Sequence, residues 1–144
     1  MTIEERLTSL AEGRNPALIG HMPSGFLVMG DFQFFRGYCL LLAYPRVEKL
    51  NDLRDEARAQ FLADMARAGD AVLAATGCRR INYSIYGNLD PFLHAHIWPR
   101  YGEEEESYRT VPPFLVPASV REAPEHAFDP TRHQALRDSI RSFL

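Results

Sequence analysis

From Leu53 to Thr76 the chain contains no proline and a single glycine, Gly69, so nothing in it forces a break. Leu53, Ala57, Phe61, Met65, Ala68 and Val72 recur at spacings of three and four, which sets them on one face of a helix. Gly77 follows directly and is a natural stop, because glycine readily takes the left-handed conformation that ends helices. One long helix with a single buried face is therefore the frame that the remaining segments must fit.

Those segments are mostly short and apolar. Ile81 to Tyr86 (INYSIY) alternates as a strand does, Gly87-Asn88 marks a turn, and Phe92 to Trp98 reads as another strand before Pro99. Upstream, Gly25 to Met29 (GFLVM) and Tyr38 to Tyr44 (YCLLLAY) have strand length and character. The turn between them holds Asp31, Gln33 and Gly37, and Pro45 closes the second. Thr2 followed by Glu5 has the form of a capping box, and Ile3, Leu7 and Leu10 then share a helical face that ends by Gly13, Asn15 and Pro16. Asp129 capping Pro130 predicts a last helix with Leu136, Ile140 and Leu144 on one face. Strands interleaved with one long helix and flanked by short ones indicate a small α+β domain.

Bulk properties narrow the functional classes. A chain of 144 residues suffices for one domain with a real core. The formal net charge of −3 gives no sign of a general nucleic-acid-binding surface, while leaving room for a local basic pocket. No apolar run approaches the roughly 18 residues that a membrane span needs. The N-terminal MTIEERLTSLAEG is acidic and amphipathic, unlike a secretory signal, so the expected compartment is the cytoplasm. Cys39 and Cys78 lack metal spacing, and Cys39 reads as a small core residue. The acidic run Glu103 to Glu106 reads as a solvated loop.

The chemistry-bearing stretch is FLHAHIW. In a strand, residues two apart face the same side, so Phe92, His94, His96 and Trp98 share one face and Leu93, Ala95 and Ile97 the other. The aliphatic face suits packing on a helix, and the opposite face carries two imidazoles. They could be structural residues that a sheet tolerates. They could be a metal pair, but that needs a third and usually a fourth ligand, and His21 (in an expected loop), His126 and His133 complete no ligand motif. They could also serve nucleophilic catalysis, one imidazole attacking while the other assists.

The surroundings favour the last. INYSIYGNLDPFLHAHIWPRY resembles the signature region of the histidine triad family of nucleotide hydrolases and transferases. In that family a strand, a Gly- and Asn-rich turn and a motif of alternating histidines ending in Pro-Arg follow a long helix. The upstream apolar strand ending in Pro-Arg (Leu40 to Arg46) and the segment EKLNDL also suit the family, so the resemblance runs from about Gly25 to Tyr101. Pro99-Arg100 sets the register. With Phe92 in the first histidine's place, His94 is second, His96 third, and Ile97 and Trp98 are the trailing apolar pair.

The resemblance implies a fold, an activity and a site. The fold is an antiparallel sheet with the long helix packed on it, in one domain over residues 1–144, with a core from about 25 to 101 and a C-terminal extension at 102–144. The activity is that of a nucleotide phosphohydrolase, in a branch like the diadenosine tetraphosphate hydrolases. It would act on nucleoside phosphate derivatives through a nucleotidyl-histidine intermediate. His94 would be the nucleophile, and His96 would contact the phosphate and assist the leaving group. Asn82 and Asn88 fall where the family places donors toward phosphate oxygens, and Asp31 where a ribose hydroxyl is held, although Asp31 also reads as a turn aspartate. Alternatives are a nucleotidyltransferase, or a nucleotide-binding protein weakened by the loss of the first histidine. The expected partners are a nucleotide substrate and a second copy of the chain in a homodimer, without nucleic acid, membrane, cofactor or bound metal.

Overall fold

A computed structural model describes residues 1–144. The long helix, α2, spans Asp55–Thr76 and closes on Gly77, whose φ of 66° is left-handed. It begins past Leu53 because Leu50–Asp52 form a separate turn of 3-10 helix. Ahead of it, α1 (Ile3–Ala11) is capped as expected, with the Thr2 side chain and Glu5 each satisfying the other's backbone N–H.

Five strands make one antiparallel sheet: β1 (Leu18–Met22), β2 (Gly25–Met29), β3 (Cys39–Ala43), β4 (Arg80–Ile85) and β5 (His94–Arg100), in the order β1-β2-β3-β5-β4. The pairs Leu41↔Ala95 and Cys39↔Ile97 put these four side chains on one face, where α2 lies across β3 and β5. Phe61, Ala68 and Val72 of α2 join them in the main core. Each large apolar side chain so buried stabilises the fold by about 1.5–3 kcal/mol. The pairs Leu42↔His94 and Leu40↔His96 set the histidines on the opposite face. The split of FLHAHIW into an aliphatic and a histidine face is thus realised.

Gly69 and Asp64 explain how α2 sits so close. A Cβ at Gly69 would lie 2.0 Å from the Tyr83 hydroxyl, so the glycine accommodates a β4 side chain rather than marking a flaw. Asp64 is fully buried and accepts from the N–H (2.9 Å) and hydroxyl (2.6 Å) of Ser24 and from the Gln60 side-chain amide Nε2 (2.8 Å), tying α2 to the β1–β2 turn.

Several sequence expectations need correction. His21 lies in β1, not a loop: LIGHM contains a glycine and a histidine, and Pro23-Ser24 follow it in place of the usual hairpin dipeptides, so little marked it as a strand. β5 runs through Pro99 to Arg100. The Arg100 carbonyl faces β4, accepting from Arg79 N–H at 2.9 Å, so the missing N–H of Pro99 points to the other side. There β3 has already ended at Cys39↔Ile97 and no ladder bond is lost. Phe92 precedes β5 rather than opening it.

Beyond β5 come short 3-10 turns at Pro113–Leu115 and Pro124–His126, then α3 (Ala118–Arg121) and α4 (Gln134–Ser142). Asp129 caps a turn through Thr131 and Arg132 N–H instead of α4 itself, which starts at Gln134. Leu136 and Ile140 enter the main core, so residues 102–144 supply part of it rather than only extending it. Glu104 departs from the solvated acidic loop: it is largely buried against Arg100. No helix is long and apolar enough to cross a membrane.

Candidate active site

β5 presents His94, His96 and Trp98 on the face away from α2, all buried. His94 Nδ1 lies 2.8 Å from the Phe92 carbonyl oxygen. A carbonyl can only accept, so Nδ1 carries a proton, and the tautomer this contact selects has its lone pair on Nε2. The Phe92 ring stacks on the imidazole with centroids 4.4 Å apart and planes 25° apart. The contact that orients His94 therefore comes from the backbone of residue 92, and its side chain adds an apolar wall.

His96 Nδ1 is 2.7 Å from the Tyr38 hydroxyl. Burial, and after it the neighbouring His94, push the His96 pKa down to about 4, so the ring is neutral at pH 7. Burial above all, then Cys39, raises the pKa of Tyr38, which keeps its proton. Tyr38 is held on three sides. A Cβ at Gly30 would fall 2.2 Å from its ring, so only glycine leaves room there. Gln33 donates to the Gly30 and Tyr38 carbonyls (3.0 and 2.9 Å) and accepts from Gly37 N–H (2.9 Å), bracing the loop between β2 and β3. The ring stacks on Trp98 at 3.9 Å and 4°, and Trp98 Nε1 donates to Ser84 at 3.0 Å. Trp98 belongs to a second small core with Phe35 and Val116.

A cavity of about 860 Å³ opens over this face, within the size range of small-molecule sites. His94, His96, Phe92, Asn88 and Asp31 line it together. The Asp31 side chain is 73% exposed and 3.5 Å from Arg6 of α1. Asn82 shares the histidine face through its pairing with Trp98 but lies apart from the histidines. It borders a neighbouring cavity of about 810 Å³, and its Oδ1 accepts from Arg100 at 2.9 Å. No three His, Cys, Asp or Glu side chains converge as a metal site would require.

Tyr38, Arg6, Phe114 and Arg121 are among the residues of the histidine cavity that escaped the sequence reading. Phe114 meets both His96 (5.3 Å) and Trp98 (5.0 Å) edge-on, and the Arg121 guanidinium lies 5.0 Å over its ring. Only Tyr38 carried a signal, as the polar aromatic directly before β3, the aliphatic strand that neighbours β5.

No protein-family model matches the sequence, and no curated protein does. Solved structures match over nearly the whole chain. A histidine triad protein from Bradyrhizobium japonicum is 25% identical, with 87% of each chain covered and a TM-score of 0.67. A histidine triad protein from Marinobacter aquaeolei is 15% identical, covering 97% of this chain and 93% of its own, with a TM-score of 0.74. A hypothetical histidine triad nucleotide-binding protein from Sulfolobus tokodaii is 10% identical, covering 95% and 89%, with a TM-score of 0.71. The sheet, its helix and its histidine strand define an α+β protein of one recognisable kind. The chain has the histidine triad fold.

Proposed function

We propose that this protein is a nucleotide phosphohydrolase of the histidine triad type. It would cleave nucleoside phosphate derivatives, dinucleoside polyphosphates among them, through a nucleotidyl-His94 intermediate. The observation that carries this reading is the 2.8 Å contact between His94 Nδ1 and the Phe92 carbonyl. It leaves Nε2 as the basic, nucleophilic nitrogen, and it needs nothing of the side chain at position 92, so phenylalanine in the first histidine's place does not disable it.

His94 Nε2 attacks the phosphorus attached to the nucleoside; a P–N bond forms, and the bond to the leaving oxygen breaks with its electron pair going to the leaving group. Water then attacks the same phosphorus, the P–N bond breaks, a proton passes to solvent, and His94 is restored beside a nucleoside monophosphate. With the Tyr38 hydroxyl, 2.7 Å away, as the donor to its Nδ1, His96 would hold its own proton on Nε2 and offer it as a hydrogen bond to a phosphate oxygen. A neutral imidazole is a poor acid, so this favours leaving groups stable as anions, such as phosphates. Asn88 would donate to the same phosphate, Asp31 would accept from a ribose hydroxyl, and Asn82 would offer its unengaged amide N–H to phosphates on the Trp98 side.

His94→Ala should reduce hydrolysis of a dinucleoside tetraphosphate at least 1000-fold, order-of-magnitude for loss of a nucleophile, as followed by chromatography of the nucleotide products. Hydrolysis at the wild-type rate in that variant would overturn the mechanism.

A further inference from the structure

The neighbouring cavity has its own electrostatic character. The pairs Arg80↔Arg100, Asn82↔Trp98 and Ser84↔His96 place Arg80, Asn82 and Ser84 on the histidine face of the sheet. Arg79, just before β4, and Arg109, from the loop after β5, also border the cavity, and no Asp or Glu does. The Arg100 guanidinium is fully committed, to Glu104, Asn82 and the carbonyls of Tyr108 and Val111. Arg79, Arg80 and Arg109 are exposed and take part in no ion pair. In a chain of net charge −3, three uncompensated guanidinium groups around one cavity stand out against the background.

The histidine cavity differs. Its cations are already paired, Arg6 with Asp31 and Arg121 with Glu122. Tyr86 and Trp98 line both cavities, so the two are contiguous. From His96 to Arg100 along β5 is about 13 Å at ~3.3 Å per strand residue. A substrate that ends at the reacting phosphate cannot reach the arginines, whereas one carrying further phosphates can.

We propose that the cavity bordered by Arg79, Arg80 and Arg109 is a phosphate subsite that holds the anionic leaving portion of the substrate, while the nucleoside lies over Asp31 and Leu40. This rests on the hydrolase reading above and sharpens it, because it assigns the protein substrates with several phosphates beyond the one attacked. Arginine forks suit phosphate oxygens. Charge held there stabilises the leaving group as it departs, without requiring a proton from His96.

Two measurements on the full chain test this. In the first, inorganic tripolyphosphate is titrated calorimetrically into wild type, His94→Ala and the triple variant Arg79→Ala/Arg80→Ala/Arg109→Ala. Binding to the first two that weakens at least 10-fold in the third, and that weakens with added salt, is expected. Equal binding to all three would overturn the subsite. In the second, kcat/KM is compared for a dinucleoside tetraphosphate and a nucleoside monophosphate ester with a small uncharged leaving group. The ratio between them should fall at least 10-fold in the triple variant, and a ratio cancels any fraction of misfolded enzyme. An unchanged ratio would overturn the link to the leaving group. So would tripolyphosphate that binds without competing with the dinucleotide, since that anion would then be separate from the substrate. A single-stranded oligonucleotide bound more tightly than tripolyphosphate would give the cavity to a nucleic acid backbone and overturn it too. If no nucleotide is hydrolysed at all, the hydrolase reading fails, and the tripolyphosphate titration still decides the subsite.

Discussion

A buried imidazole that stays neutral links the site to stability. His96 titrates near 4 in the folded protein and near 6.5 when unfolded. Between these values the unfolded chain binds the extra proton, so acidification through that window favours unfolding, and the contribution is fully present only above about pH 6.5. The loss is on the order of 3 kcal/mol once pH reaches about 4. His133 is shifted in the same direction, mainly by burial, so the test compares wild type with His96→Asn, in which the His133 contribution cancels. Urea midpoints at pH 7 and pH 4 should fall further in wild type than in the variant. Parallel losses would show that His96 is not held neutral. Position 92 teaches a second lesson at this scale. The letter there suggested a missing function, whereas the contact observed with His94 Nδ1 comes from the backbone carbonyl of Phe92, which no one-letter code displays.

At the scale of elements, periodic pattern carried most of what could be read. α2, β2, β3 and β4 and the two faces of β5 follow from spacing of apolar side chains, because each buries one face against a partner. What escaped was set by contacts across the fold. β1 is a short edge strand whose pairing to β2 outweighs its mixed composition. The loop between β2 and β3 places Tyr38 through Gln33 and Gly30, residues that look like ordinary turn chemistry until the ring is seen filling the space a Cβ would take. Gly30→Ala should therefore cost about 1–3 kcal/mol through overpacking, read from its thermal melt, and should lower kcat/KM as much as Tyr38→Phe does. Tyr38→Phe should lose less stability than Gly30→Ala. A Gly30→Ala enzyme with unchanged kinetics would mean that the Tyr38 hydroxyl does not position His96.

For the whole molecule, the C-terminal segment proves structural as well as site-forming. Leu136 and Ile140 sit in the main core, and Arg137 and Arg141 donate to the carbonyls of Pro16 and Leu18 at 2.6 and 2.9 Å, so α4 clamps the β1 edge. Removing residues 131–144 should cost at least about 3 kcal/mol from those two side chains alone and abolish a cooperative melt. A native-like melt of the shortened chain would show that the sheet and α2 suffice. The sequence's helical spacing at Leu136 and Ile140 showed that a helix was there. It could not show which surface the helix would cover, because an amphipathic face specifies burial without naming its partner.

Trp98 is the only tryptophan in the chain, and it borders both cavities while stacking on Tyr38 and hydrogen-bonding Ser84. Its indole is thus a native fluorophore stationed at the divide between the histidine cavity and the arginine-lined cavity. Its emission should report on occupancy of either chamber, with no label attached and no second emitter of its kind to confuse the signal.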